Sequence, residues 1–168
     1  MKKLFKKIEK AVYENKLLYL PRFMDMQNQI DLNTVASILN TFELKNTVKF
    51  VNHFNNQDAF SYTMQVKGVE KHSAIVPIHN IMIKNIIGCD VDRADIFFSL
   101  KKTTGPSHID DENSLILSVY NRTLYSFPDD GTLILMSPGD LLLVPVGRIH
   151  FASSLESRIV LSWGLYKK

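Results

Sequence analysis

The stretch GPSHIDDEN, residues 105–113, places an imidazole and a carboxylate two positions apart directly after a Gly-Pro turn. On a β-strand residues i and i+2 face the same side, so His108 and Asp110 can converge on one point. A third donor stands in SPGDLLLVPVGRIHF, residues 137–151. There Pro138-Gly139-Asp140 is a tight-turn sequence, LLLVP reads as a buried strand ended by proline, and VGR is a second turn that starts the strand carrying His150. Two neutral imidazoles and one carboxylate offset part of the charge of a divalent ion and, if they occupy one face of it, leave the other face free for reaction. His108, Asp110 and His150 therefore form a candidate 2-His-1-carboxylate set for Fe(II), both metal-binding and catalytic. The other histidines, His53, His72 and His79, lack such company and are read as packed or capped residues.

The elements that must position this set divide the chain unevenly. MKKLFKKIEK carries five lysines in its first ten residues, broken by Leu4, Phe5 and Ile8 at helical spacing, which predicts a helix with one solvated basic face. DLNTVASILNTF, with Asp31 or Asn33 as cap and Leu32, Val35, Ile38 and Leu39 on one face, predicts a second helix over 32–41. TVKFV (47–51) and SYTMQV (61–66) read as strands. IHNIMIKNIIG (78–88) fits either a helix closing at Gly88 or a buried strand, and helix is preferred. From residue 94 seven apolar runs follow, ADIFFSLKK, SLILSVY, RTLYSF, TLILM, DLLLVPV, IHFASS and RIVLSWGLY, separated by TTGP, YN, PDDG, SPG and VGR. Such spacing argues for an antiparallel sandwich or barrel. The expected fold is mainly β, a double-stranded β-helix of the jelly-roll, cupin-like kind with N-terminal helices. An H-x-D followed some forty residues later by a strand-borne His is the order in which that fold assembles a facial triad.

The bulk properties exclude several other classes. At 168 residues the chain suits one domain over 1–168, with a helical part over 1–45 and a core β-helix over 94–168. A net charge of +3 does not point to nucleic acid. No apolar run approaches the ~18 residues of a membrane span, and LLYLP at 17–21 is too short for a signal peptide. The single cysteine, Cys89, fits a reducing cytoplasm. A cytoplasmic protein is expected, without membrane or nucleic-acid partner and with homodimer formation open.

With these residues in view, GPSHIDDENSLILSVYNRTLYSFPDDG and MSPGDLLLVPVGRIHFASSLESRIVLSWGLY together resemble the jumonji-type (JmjC), cupin-fold Fe(II)/2-oxoglutarate oxygenases, most nearly their asparaginyl-hydroxylase branch. The resemblance covers residues 104–166. It implies that His108, Asp110 and His150 hold iron and that Asn113 contacts the co-substrate. Arg122 falls where the family has a lysine for the distal carboxylate of 2-oxoglutarate, and a guanidinium can grip a carboxylate with two parallel hydrogen bonds. Ser162 matches a polar position near the metal-proximal end of the co-substrate. A family threonine before the first ligand is replaced by Gly105, leaving Thr104 as the nearby candidate. Arg158 is the rival anchor, since other branches use an arginine several residues past the distal histidine. An aromatic pair frequent before that histidine is replaced by Arg148-Ile149.

Strand geometry gives a separate reason to prefer Arg122. If Tyr120-Asn121 is a two-residue hairpin turn, Val119 opposes Arg122 and Leu117 opposes Leu124. Arg122 and Asn113 then share an otherwise apolar face, as a barrel interior gripping one dicarboxylate would require. On RIVLSWGLY, Arg158, Val160, Ser162 and Gly164 share one face and Ile159, Leu161, Trp163 and Leu165 the other.

The resemblance implies an oxygenase using Fe(II), 2-oxoglutarate and O₂, and it implies hydroxylation of a peptide or protein side chain or of a small amino-acid-like metabolite. Substrate contacts are expected from the N-terminal helices and from loops 52–60 and 67–75. Two alternatives stay open. One is a cupin dioxygenase that needs no keto acid; the other is a cupin that binds or senses a ligand without turnover.

Overall fold

The apolar runs and their turns become two antiparallel sheets in a computed structural model, which describes residues 2–26, 29–41, 48–51 and 63–168, with the main chain alone for 48–51. The strands are β1 (Leu18–Leu20), β2 (Val48–Val51), β3 (Thr63–Val66), β4 (Cys89–Ser99), β5 (Thr103–Thr104), β6 (Asn113–Tyr120), β7 (Thr123–Phe127), β8 (Thr132–Met136), β9 (Leu141–Val144), β10 (Phe151–Ser154) and β11 (Arg158–Lys167). The larger sheet runs β1-β9-β6-β11-β4-β3-β2 and the smaller β5-β10-β7-β8. Each of the seven runs after residue 94 forms a strand. His53, Thr47, residues 61 and 62, and the loop 52–60 lie outside the described residues.

Both faces of the larger sheet are covered, and that governs what its strands look like. Leu115, Leu117, Val119, Ile159, Leu161, Trp163 and Leu165 point to one side and pack with Phe5, Ile8 and Val12 of α1 (Lys2–Glu14), Val35 and Ile38 of α2 (Leu32–Thr41) and Ile78 and Met82 of α3 (Val76–Asn85). Ile116 and Val160 point the other way and meet Tyr125, Phe127, Met136, Leu142 and Val144 between the sheets. A strand buried on both faces loses its polar-apolar alternation.

The helices follow from local chemistry. In α1 the lysines stay outside and the chain leaves the helix through Asn15 at φ 53°, a left-handed terminus that asparagine tolerates. In α2 the Asp31 carboxylate accepts the Thr34 N–H at 2.9 Å, and this cap and the Thr34 hydroxyl hold its pKa below the usual carboxylate range. The ambiguous stretch is helical as far as Asn85, so the helix closes three residues before the expected Gly88; Pro77 sits in the first turn of α3, where its missing N–H costs nothing. The N-terminal segment is tied to the β core by Asp140. This buried carboxylate accepts the Tyr19 hydroxyl at 2.7 Å and the N–H groups of Arg22 and Ser137 at 2.8 Å each.

One expected connection is overturned. Tyr120-Asn121 is a turn, with Asn121 at φ 53°, but β6 and β7 do not pair as a hairpin. The chain crosses there from one sheet to the other, and the Asn121 side-chain amide donates to the Ser157 carbonyl at 2.8 Å, tying this crossing to the β10-β11 crossing. The apolar face of β6 bearing Asn113 and Leu117 is the helix-facing one.

Candidate metal centre

His108 and His150 are brought together by a short antiparallel bridge in which each main-chain N–H donates to the other's carbonyl, at 2.9 and 3.0 Å. Asp110 follows two residues later. Its Oδ1 lies 3.7 Å from His108 Nε2 and its Oδ2 3.7 Å from His150 Nε2, and the three ligand atoms fall within 4.8 Å of one another. Each imidazole turns Nδ1 to a carbonyl, His108 to Pro106 and His150 to Arg148, both at 3.0 Å. A carbonyl can only accept, so Nδ1 carries the proton and Nε2 presents its lone pair inward. Burial, with His108 acting the same way, pushes the His150 pKa down against the Arg148 carbonyl and Asp110, favouring the neutral ligating form. The Ser114 hydroxyl donates to Asp110 Oδ2 at 2.5 Å and fixes the carboxylate.

The set opens into a cavity of about 450 Å³ between the two sheets, within the range of small-molecule sites. One wall is the inward face of the larger sheet, which carries Ser114, Ile116, Phe97, Val160, Ser162, Gly164 and Arg158. Tyr125 and Ala152 of the smaller sheet form the opposite wall. The expected division of β11 faces is what the structure has.

Arg158 lies in the cavity, three alternate positions along β11 from Gly164, and only 3% of it is exposed. Register places it in one row with Ser99 and Thr63, and its Nε donates to Ser99 Oγ at 3.2 Å. Among the described residues its NH1 is buried without a hydrogen-bond partner, as are the hydroxyls of Thr63, Thr123 and Ser154. Burial depresses the Arg158 pKa, opposed first by its charge interaction with the nearby Tyr125 hydroxyl. A buried guanidinium that no carboxylate among the described residues pairs is costly, and an anion in this end of the cavity would offset that cost.

The other candidates fare differently. Ser162 lies on the cavity wall. Arg122 does not reach the cavity: its side chain is 61% exposed and stands 3.9 Å from Glu156. The missing hairpin explains this, since without β6-β7 pairing nothing aligns Arg122 with the inward face. Asn113 faces away as well, its amide donating to the Leu165 carbonyl at 3.1 Å and accepting the Val146 N–H at 3.3 Å, which makes it a structural clip. Thr104 pairs with Ser153, on the side of β10 opposite the cavity-lining Ala152. No described residue before Thr63 lines the cavity, so the N-terminal helices cover the far face of the sheet; Lys67 alone contributes from loop 67–75. His72 meets the Ser37 hydroxyl at 3.3 Å, and His79 accepts the Trp163 indole N–H at 3.1 Å, both in packing roles.

Ser114, Tyr125, Thr63 and Ser99 are site residues that the sequence pattern did not single out. Serines inside an apolar strand were the available signal for Ser114, and a charge opening the apolar strand RIVLSWGLY was the signal for Arg158.

No family model matches the chain, and no curated protein sequence matches it significantly. Solved structures do. The ribosomal oxygenase YcfD of Escherichia coli superposes with a TM-score of 0.71 at 16% identity over 91% of this chain and 48% of that one. YcfD in complex with cobalt and 2-oxoglutarate gives 0.69 at 17% identity over 92% and 49%. The non-haem α-ketoglutarate-dependent epimerase SnoN from nogalamycin biosynthesis gives 0.65 at 10% identity over 98% and 83%. The chain spans about half the length of the YcfD structures. Two antiparallel sheets facing each other across the cavity, together with the likeness to these neighbours, make the fold a double-stranded β-helix of the jelly-roll kind.

Proposed function

We propose that the protein is an Fe(II)/2-oxoglutarate-dependent oxygenase in which His108, Asp110 and His150 hold the metal and Arg158, not Arg122, holds the distal carboxylate of the co-substrate. The observation that carries this reading is the pairing, in one cavity, of a His-Asp-His set with a buried arginine whose NH1 has no partner among the described residues. A dioxygenase that needs no keto acid would use the triad, and would need a buried cation beyond it only where its own substrate is an anion.

When bound, Fe(II) and 2-oxoglutarate supply the oxidising chemistry, in which O₂ is consumed, the keto acid loses CO₂ to give succinate, and a substrate C–H bond is hydroxylated. The chain's own residues bind and orient. Arg158, with the Tyr125 hydroxyl and Ser99, fixes the carboxylate; Ile116, Phe97 and Val160 give the cavity dry walls; Ser114 keeps Asp110 turned to the metal. Ser162 stands beside Ile116 in register and suits the metal-proximal end of the co-substrate.

For substrate we favour a protein or peptide side chain, supported by the name of the ribosomal oxygenase; the epimerase keeps a small metabolite as the second choice. The mouth is polar, with His108, Glu112, Arg93 and Lys67 on its rim. Residues 1–168 act as one unit in this reading, in the reducing cytoplasm that keeps iron ferrous. No helix among the described residues is long and apolar enough to cross a membrane. The test is release of succinate from 2-oxoglutarate on adding Fe(II) in air: wild type turns over slowly without substrate, and Asp110→Ala does not. Tight Fe(II) binding with no succinate from any preparation contradicts the proposal.

A further inference from the structure

The turn before His150 touches both ligand-bearing segments. The Gly147 N–H donates to the Asp110 carbonyl at 3.2 Å, and the Arg148 carbonyl accepts the His150 imidazole N–H at 3.0 Å. A shift of this one turn therefore moves two of the three ligands together. Gly147, at φ 79°, gives the turn a left-handed link and no side chain to anchor it.

The anchor is the Arg148 side chain. Its NH2 donates to Asp130 Oδ2 at 2.5 Å, and its Nε lies 3.3 Å from Asp129 Oδ2, within reach of charge attraction though its N–H points off that oxygen. The guanidinium carbon sits 4.7 Å from the centre of the Phe127 ring. Phe127 is buried and its ring centre lies 6.2 Å from that of His150, tilted by 32°. The arginine side chain is only 17% exposed, so it is packed between the β7-β8 turn and the metal-centre turn. An isolated surface ion pair contributes little, but a fork held by two carboxylates over an aromatic face loses far less entropy per contact.

Building on the proposed metal site, we infer that Arg148 is a positioning residue for the metal. Clamped by Asp129, Asp130 and Phe127, it holds the Gly147-Arg148 turn, and through it the His150 ring and the Asp110 backbone, in ligating geometry. It touches neither metal nor substrate. Outer partners of metal ligands commonly carry 10–100-fold of affinity. An aromatic pair at 148–149 would hold the turn by packing; here an ion-paired stack does so.

The test is titration of the full, metal-free chain with Co(II), read by the visible absorption of the bound ion and by competition with a chelator. Arg148→Ala is expected to weaken Co(II) about tenfold or more and to lower the intensity of the bound-ion bands. Arg148→Lys, which keeps the charge without the fork, falls between. Asp130→Asn, a change at an exposed turn that leaves the core untouched, is expected to weaken binding in the same direction by a smaller factor, and it decides the matter if Arg148→Ala does not fold. A merely structural arginine would lower the melting temperature of the metal-free protein and leave the Co(II) affinity of the folded protein alone. Binding by the folded variants within twofold of wild type overturns the inference. Absence of Co(II) binding in the wild type overturns the metal site itself, and this inference with it.

Discussion

His108 and His150, 42 positions apart, exchange main-chain hydrogen bonds in both directions, and their ring centres stand 4.3 Å apart. The backbone alone thus aligns the two imidazoles. His108→Ala or Asp110→Ala is expected to remove tight Co(II) or Fe(II) binding while leaving the fold intact, because His108 is half exposed and Asp110 is on a loop. Calorimetric titration together with far-ultraviolet circular dichroism checks both halves of this expectation.

The two arginines separate cleanly. Arg158→Ala is expected to cost about 2–5 kcal/mol of co-substrate binding, a rise of 30-fold and upward in the apparent KM for 2-oxoglutarate. Arg122→Ala should leave that KM within about twofold. Succinate formation at varied 2-oxoglutarate measures both, and the reverse pattern would restore Arg122 as the anchor.

Ser114→Ala removes the hydroxyl that orients Asp110. Metal affinity is expected to fall by roughly tenfold, with little change in melting temperature. Equal losses in Ser114→Ala and Asp110→Ala would mean that the serine is itself a ligand.

Gly139 is the point where the N-terminal segment meets the core. It has φ +91°, and a Cβ there would lie 2.1 Å from the Met24 carbonyl oxygen. Both strain and collision oppose any side chain, so Gly139→Ala should destabilise by about 2–4 kcal/mol in urea titration. The Co(II) affinity of the folded fraction should be unchanged, since the site lies on other elements.

Acid acts on the Arg148 clamp with a definite sign. The hydroxyl and N–H of Thr132, and then Arg148, hold the Asp130 carboxyl at about 2, below its ordinary 3.8. A depressed carboxylate contributes stability above its unfolded pKa and loses it as pH falls through the folded one. The metal-free protein should therefore lose melting temperature between pH 4 and pH 2, and Asp130→Asn should lose less over that window.

Much of the barrel was legible because its strands are short apolar runs cut by Pro, Gly, Asn and Asp. The His-Asp-His cluster was legible because His108 and Asp110 sit at i and i+2 and His150 follows two turn signals. Arg122 misled for a physical reason: a turn can be read from Asn121, but whether the chain folds back or crosses to another sheet depends on contacts such as Asn121 with Ser157, far away in sequence. Asn113 misled because β6 is buried on both faces, so its polar positions do not reveal which side is the cavity. Tyr125 and Thr63 become site residues only through pairing across strands, which local pattern does not encode.

The most direct measurement is the anaerobic visible spectrum on adding Fe(II) and then 2-oxoglutarate to the metal-free protein. On the proposed function, a weak charge-transfer band from a chelated keto acid is expected in the wild type, absent in His108→Ala and demanding far more 2-oxoglutarate in Arg158→Ala. Bound Fe(II) with no such band in the wild type would contradict the keto-acid assignment and leave Arg158 holding a different anion.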